Sequence, residues 1–350
     1  MLQFKDISHR YGQQAALEGV TLTAYAGEIL CLLGPSGCGK TTLLNLTAGI
    51  LPLQSGTLTL DGEILASVKN SPPPEARPVG LVFQEGALFP HMRVADNIAF
   101  GIMKDPNHAA RVADLLEQVG LPGYEDRYPH TLSGGQQQRI AVARALAPKP
   151  PILLMDEPFA NIDIAMRRRL REDIRLILRA RNTITIIVTH DPEEAMEIGD
   201  KIAIMDQGRI IQAGRPVDIY NAPKSLAVAR MTSDGACVKA QISGGKLITQ
   251  WGEWPLNCLA DTQLRAQGKS KPGKLNLYLR PLSVGLELVK SGEDGFEIID
   301  VRQSGSVQTV VLGSGKNQTL RLHTAPRPSW EIGQKVSLHP KAKTVIAFAD

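Results

Sequence analysis

Hydrophobic and polar residues follow one another along this chain in two distinct textures. Through about residue 235, short unbroken apolar runs stand between segments of helical period: Ile29-Leu-Cys-Leu-Leu33, Gly80-Leu-Val-Phe83, Ile152-Leu-Leu-Met155 and Thr183-Ile-Thr-Ile-Ile-Val188. A short run with no polar face marks a strand covered on both sides. Val112, Leu115, Leu116 and Val119 share one helical face, and Met166, Leu170, Ile174, Ile177 and Leu178 share another, with Asp163 placed to cap the second helix. Strands alternating with amphipathic helices predict an α/β domain over 1–235, a mostly parallel sheet with helices on both sides.

Beyond Gly235 the pieces Lys246-Leu-Ile-Thr, Leu275-Asn-Leu-Tyr-Leu279, Ser306-Val-Gln-Thr-Val-Val-Leu312 and Lys335-Val-Ser-Leu are short, strand-like and separated by Gly, Ser, Pro and Asn. They predict a small all-β barrel or sandwich over 236–350. Pro72-Pro-Pro74 reads as a surface loop within the first domain. Charge changes at the same point. Of 39 basic and 35 acidic residues, 24 and 26 lie through Gly235 and 15 and 9 after it, so the two parts carry −2 and +6. A basic β domain is either a solvated face or a nucleic-acid surface. The aromatic interleaving that base stacking needs is missing: Trp251 and Trp254 are close together, and Tyr278, Phe296, Trp330 and Phe348 are scattered.

At 350 residues the chain has room for two cores. No apolar run approaches the ~18 residues of a membrane helix. Met1-Leu-Gln-Phe-Lys-Asp has neither the basic start nor the apolar stretch of an export signal. The expected place is the cytosol, with any membrane link running through a partner. Cys31, Cys38, Cys237 and Cys258 have no metal or redox spacing and are expected as reduced thiols.

The strongest local motif is Gly34-Pro35-Ser36-Gly37-Cys38-Gly39-Lys40-Thr41, which fits G-x-x-x-x-G-K-[ST]. It follows a predicted strand and precedes the helical run Thr42-Leu-Leu-Asn-Leu, the context the motif requires. Its glycines let backbone N–H groups converge on phosphate oxygens, and the helix N-terminus adds a favourable dipole. Lys40 is placed to reach β- and γ-phosphates, and Thr41 to ligate Mg²⁺. Ile152-Leu-Leu-Met-Asp156-Glu157 ends an apolar strand in two acids: Asp156 suits Mg²⁺, and Glu157 suits an attacking water. Taken alone, the pair serves equally to cap a helix. His190 closes the strand Ile184–Thr189. A lone histidine is usually structural, but at the edge where ligands bind in open α/β sheets it can donate to a γ-phosphate. Leu132-Ser133-Gly134-Gly135-Gln136 then opens a helix and makes a second anion cradle. Two cradles so far apart serve one nucleotide only if they face each other across a dimer.

On these motifs, in this order, the first 235 residues resemble the ATPase subunit of an ATP-binding-cassette (ABC) transporter. The resemblance implies a P-loop NTPase with a RecA-like core, a helical subdomain at about 87–150 and a C-terminal oligonucleotide/oligosaccharide-binding-like domain of the TOBE type. It implies that Tyr11 stacks on adenine and that Gly34 to Thr42 hold the triphosphate. Gln84 resembles the glutamine that touches Mg²⁺ and senses the permease. Ser133, Gly134, Gly135 and Gln136 would cap ATP on the opposite subunit, Asp163 belongs to the D-loop Ala160-Asn-Ile-Asp163, and Glu157 and His190 match the catalytic glutamate and the switch histidine. ATP and Mg²⁺ are the implied ligands.

A single cassette with a β-rich tail, free of coiled-coil insertions and membrane spans, resembles importer subunits for sugars, sulfate, polyamines, molybdate and ferric iron. In those tails Leu282 of Leu279-Arg-Pro-Leu-Ser-Val often has Glu as its counterpart. Gln84-Glu-Gly-Ala-Leu-Phe-Pro-His91 and Arg127-Tyr-Pro-His-Thr-Leu-Ser-Gly-Gly-Gln-Gln-Gln-Arg139 look like the ferric-iron branch. Polyamine, sulfate/thiosulfate and sugar remain the alternatives, and a soluble ATPase binding nucleic acid is the reading from another class. The partners implied are a second copy, integral membrane permeases and, indirectly, a periplasmic or extracellular solute-binding protein. The place implied is the cytoplasmic face of the membrane. Ala87-Leu-Phe-Pro-His-Met-Arg93 is either a groove for a permease helix or simple core packing of Leu88 and Phe89.

Overall fold

A computed structural model describes residues 1–84, 87–160, 162–261, 274–289, 295–305, 307–314, 318–325 and 330–349. Glu85, Gly86, Asn161 and Ser306, which entered the sequence readings, lie outside them. The chain divides into two compact units, Met1–Ala222 and Pro223–Asp350.

The first unit opens with β1 (Leu2–Tyr11) and β2 (Gln14–Ala24), followed by β3 (Ile29–Leu33), α1 (Lys40–Ala48), β4 (Ser55–Leu60), β5 (Glu63–Ser67) and β6 (Val79–Val82). A helical section follows: α2 (Val94–Ala99), α3 (His108–Gln118) and α4 (Gly134–Leu146). Then come β7 (Ile152–Asp156), α5 (Ile164–Arg179), β8 (Ile184–Thr189), α6 (Pro192–Ile198), β9 (Lys201–Asp206), β10 (Arg209–Gly214) and α7 (Pro216–Asn221). The main sheet has the order β10-β9-β3-β8-β7-β6, parallel except for the β9–β10 pair. β3 and β8 are buried at every residue, as strands covered on both faces must be. An antiparallel sheet β2-β1-β4-β5 shares the core through Phe4, Ile7, Val20 and Leu58.

Three details differ from the sequence reading. Phe83 falls just past β6 and is half exposed. Met166, counted on the buried stripe of α5, is also half exposed, while Leu170, Ile174 and Leu178 are buried. The units divide at Ala222/Pro223 rather than at 235, because α8 (Leu226–Thr232) belongs to the C-terminal unit. It is fastened there from β14 (Lys274–Leu279) and the residue after it: Tyr278 Oη donates to Ser233 O at 2.6 Å, and Arg280 Nε to Ser233 Oγ at 3.0 Å.

The rest of that unit is all β: β11 (Ala236–Ser243), β12 (Lys246–Thr249), β13 (Gly252–Pro255), β14, β15 (Val284–Leu288), β16 (Phe296–Ser304), β17 (Val307–Ser314), β18 (Gln318–Thr324), β19 (Lys335–Pro340) and β20 (Ile346–Ala349). Two antiparallel five-stranded sheets, β13-β12-β11-β14-β20 and β15-β19-β16-β17-β18, enclose one core. This is the all-β domain the tail's texture predicts. Trp251, Trp254, Tyr278 and Trp330 are buried.

Candidate nucleotide site

Strand register brings the predicted chemistry to one edge. Leu33 pairs with Thr189, and Asp156 with Val188. Gly34, Glu157 and His190, each the next residue in the chain, therefore leave the C-terminal ends of three adjacent strands. The loop from Gly34 to Gly39 turns sharply into α1, with Gly37 at φ 81° and Gly39 at φ 106°. Backbone packs against it closely. A Cβ on Gly34 would sit 2.2 Å from Met205 O, and one on Gly39 2.4 Å from Ala16 O. Lys40 is buried and donates Nζ to Gly34 O at 2.7 Å and Pro35 O at 3.0 Å, which holds its ammonium over the loop. The first-turn N–H groups of α1 have no partner within their helix and open at the same mouth.

Thr41 Oγ1 lies 3.5 Å from Asp156 Oδ1. Burial, then the charge of Glu157, pushes the Asp156 carboxyl above its ordinary range, against the opposing pull of Thr41 and Lys40. A hydroxyl beside a carboxylate whose anion is disfavoured by burial suits a hard cation, and Mg²⁺ takes one or two such protein oxygens along with water and phosphate. The residues present fit that ion.

Glu157 is held at φ 43°, left-handed for a residue with a Cβ, while its N–H donates to Val188 O at 3.0 Å. Such a conformation costs about 1 kcal/mol or more and recurs at functional sites. It turns the carboxylate toward His190, with Oε1 3.0 Å from Nδ1. The pair is open to solvent on the histidine side.

The other predicted residues are arranged around this edge. Gln84 is exposed in the turn after β6, beside β7. Tyr11 ends β1, half exposed, with its ring edge-on to His9 at 4.9 Å. It pairs with Gln14 at the start of the strand whose Ala16 abuts Gly39. Asp163 caps α5, accepting from Met166 N at 3.1 Å. Ser133 caps α4 in a reciprocal box: Ser133 Oγ accepts from Gln136 N at 3.4 Å, and Gln136 Oε1 accepts from Ser133 N at 3.0 Å. Gly135 is buried, with Met166 Cε 3.5 Å from where its Cβ would be, which explains the exposed methionine. Among the described residues, no hydrogen bond joins Ser133–Gln136 to the phosphate loop of the same chain.

Two supports escaped the sequence reading. The turn between β9 and β10 buttresses the phosphate loop, with Gly208 N donating to Cys38 O at 3.1 Å. Its only sequence signal is a Gln-Gly pair. Arg77, buried, donates to Leu46 O at 2.7 Å, Thr47 O at 3.0 Å and Pro72 O at 2.9 Å, capping α1 from behind.

Beside Gln84, the segment after Ala87 is pinned by Asn97, which accepts from Phe89 N at 2.8 Å and donates to Met92 O at 3.1 Å. Arg144 Nη1 donates to Ala87 O at 2.8 Å and lies over the Phe89 ring. Phe89 packs on Phe100 at 4.6 Å, while Phe83, Phe100 and Met103 stay exposed.

A family model described as ABC transporter matches residues 17–160. The chain is 44% identical to an Fe(3+) ions import ATP-binding protein of Mesorhizobium japonicum, over 89% of this chain and 86% of that one. It is 38% identical to a sulfate/thiosulfate import ATP-binding protein of Bradyrhizobium diazoefficiens, over 99% of both. It is 43% identical to a spermidine/putrescine import ATP-binding protein of Methylococcus capsulatus, over 79% of this chain and 72% of that one. Among solved structures it is similar to cbiO1 from Clostridium perfringens, described as part of the transporter complex cbiONQ (TM-score 0.58, 28% identity, 63% of this chain and 90% of that one). It is also similar to the ATP-binding cassette MJ0796, solved as a post-hydrolysis dimer bound to ADP and Pi (TM-score 0.52, 26% identity, 61% and 98%).

Proposed function

The chain belongs to the ABC transporter family, among its importer ATP-binding proteins, and we propose that it hydrolyses ATP to drive ferric-iron uptake through a membrane permease. The observation that carries the hydrolytic part is the meeting of phosphate loop, Asp156, Glu157 and His190 at one sheet edge. Lys40 and the N-terminus of α1 bind and orient the triphosphate. Thr41, Asp156 and Gln84 would hold Mg²⁺, which would supply charge neutralisation on the phosphates. Glu157 accepts a hydrogen bond from the attacking water and takes its proton, and His190 steadies that carboxylate and faces the γ-phosphate.

Ser133 and Gly135 reach no nucleotide in their own chain on this reading. They cover the one bound to a second copy, as the dimer of the MJ0796 cassette suggests. Hydrolysis removes the phosphate that bridges the copies, and they part. The exposed ring of Phe83, next to Gln84 in the chain, and that of Phe100, packed on Phe89, take a permease helix, which sets the protein on the cytoplasmic face of the membrane. Among the described residues, no helix is long and apolar enough to cross it. Ferric iron is favoured by the motif resemblance of 84–91 and 127–139, while relatives of similar identity include iron, sulfate/thiosulfate and spermidine/putrescine import proteins. The tail's tryptophans are buried in its core and so are not available for base stacking.

Glu157→Gln tests both parts. The purified variant is expected to bind ATP, lose about 100-fold or more in turnover and form an ATP-stabilised dimer on size-exclusion chromatography. In cells it should abolish uptake of labelled ferric iron and spare sulfate and spermidine. Wild-type turnover would refute the catalytic assignment. Loss of sulfate or spermidine uptake instead of iron would refute the cargo.

A further inference from the structure

The turn that carries Asp163 and the turn that carries His190 are linked by an arginine ladder. Arg167, Arg171, Arg175 and Arg179 recur every fourth residue on α5, so they rise along one face. They meet acids on α6 and its flanks. Arg171, almost fully buried, lies 3.1 Å from Glu197 through Nε and 4.0 Å from Asp191 through Nη1. Arg175 donates to Glu197 O at 2.7 Å, and Arg179 pairs with Asp200.

The first rung is placed differently. Arg167 Nη2 donates to Ile162 O at 3.0 Å, the carbonyl just before Asp163, while its Nη1 lies 3.9 Å from Asp191 Oδ2. Asp191 follows His190 directly and caps α6, accepting from Glu193 N at 2.9 Å. One guanidinium thus touches the residue before Asp163 and the residue after His190. Lysine has no second arm with which to hold both at once.

Resting on the hydrolytic reading above, we propose that Arg167 is a positioning residue that sets the His190–Glu157 geometry according to where Ile162 and Asp163 sit. Any shift of the turn that carries Asp163 is therefore passed to the residue after the histidine through one side chain. A misplacement of about 1 Å in such a group costs on the order of 100-fold in rate.

The test compares Arg167→Met, Arg167→Lys and Arg175→Met in the purified full chain. Arg175 is a rung of the same ladder that contacts neither turn. Expected are a 10- to 100-fold fall in kcat for Arg167→Met, a smaller fall for Arg167→Lys, KM for ATP within about twofold for both, and near-normal kcat for Arg175→Met. Wild-type kcat in Arg167→Met, or an equal fall in Arg175→Met, overturns the proposal by leaving the ladder a packing device. Should Arg167→Met not fold, a wild-type kcat in Arg167→Lys overturns it equally. A hydrolytically active Glu157→Gln instead overturns the reading on which it rests, so the two failures are distinguishable.

Discussion

Glu194→Gln should stabilise the N-terminal unit, and more so as pH rises. Glu194 is buried on α6, 4% exposed, with Oε1 lacking a hydrogen-bond partner. Burial pushes its carboxyl from 4.5 up to about 8, with Asp191 adding to the rise and Thr189, Arg171 and Arg167 opposing it. Below the unfolded value both states hold the proton, and the group costs nothing. Between 4.5 and about 8 the unfolded chain ionises while the folded chain does not, so stability falls as pH rises and levels off above the folded value. At roughly 1.4 kcal/mol per unit, the whole window is on the order of 5 kcal/mol. Glutamine keeps the shape and never titrates. The variant should match wild type near pH 4.5 and melt higher at pH 8 by about 10–20 °C, taking roughly 2–4 °C per kcal/mol for a unit of this size.

Thermal unfolding followed by far-ultraviolet circular dichroism reads the helices, which lie mainly in the first unit. Tryptophan fluorescence is the internal control, because Trp251, Trp254 and Trp330 all lie in the second. The difference between variant and wild type cancels every other titrating group. Melting curves that stay parallel from pH 4.5 to 8, or a variant that melts lower at pH 8, would refute the argument.

Gly39→Ala should weaken ATP binding by about 5- to 150-fold, since a strained left-handed residue with no space for its Cβ costs about 1–3 kcal/mol at the loop. A fluorescent ATP analogue reads this directly, and unchanged affinity would contradict the close-packed cradle. Phe83→Glu with Phe100→Glu, both already exposed, should abolish cellular uptake while leaving the purified protein's ATP turnover within about twofold, because surface changes of this kind perturb folding little. Normal uptake would exclude that face as the permease contact.

What the sequence made legible follows from how local each signal is. β3, β7 and β8 were visible as unbroken apolar runs because both their faces are covered. The phosphate loop was visible because its glycine spacing is set by the turn itself. β1 left no such mark: three register shifts against β2, with Asp6 at φ 53°, break the period of two that alternation depends on. The β9–β10 turn supports the loop through backbone atoms, to which any sequence with the right turn is equivalent. The boundary read at 235 left the residues of α8 in the first domain, and only Tyr278 and Arg280, some 45 residues on, tie them to the tail. The arginine spacing on α5 was on view, but its acids lie on an element whose packing no local pattern specifies.

If Ser133 and Gly135 cover a nucleotide bound to a second copy, as proposed above, the two halves of that site are prepared in different ways, and the difference bears on how such a dimer closes. The phosphate loop is shaped by backbone against backbone, Gly34 on Met205 and Gly39 on Ala16. Its nearest neighbours are largely fixed backbone, so nucleotide entering it spends little binding energy on ordering. The cradle at α4 is shaped by side chains. Gln136 occupies Ser133 N–H, Ser133 Oγ occupies Gln136 N–H, and Gln136 Nε2 reaches Tyr124 Oη at 3.3 Å. What remains to face an anion are the Ser133 hydroxyl proton and the N–H groups of Gly134 and Gly135, which as first-turn donors have no partner within the helix. Since the box fixes their direction in the free chain, a γ-phosphate presented by a second copy meets donors already aimed. On this account the energy of closing is available for moving the helical section and whatever permease helix rests on Phe83 and Phe100, rather than for building the cradle.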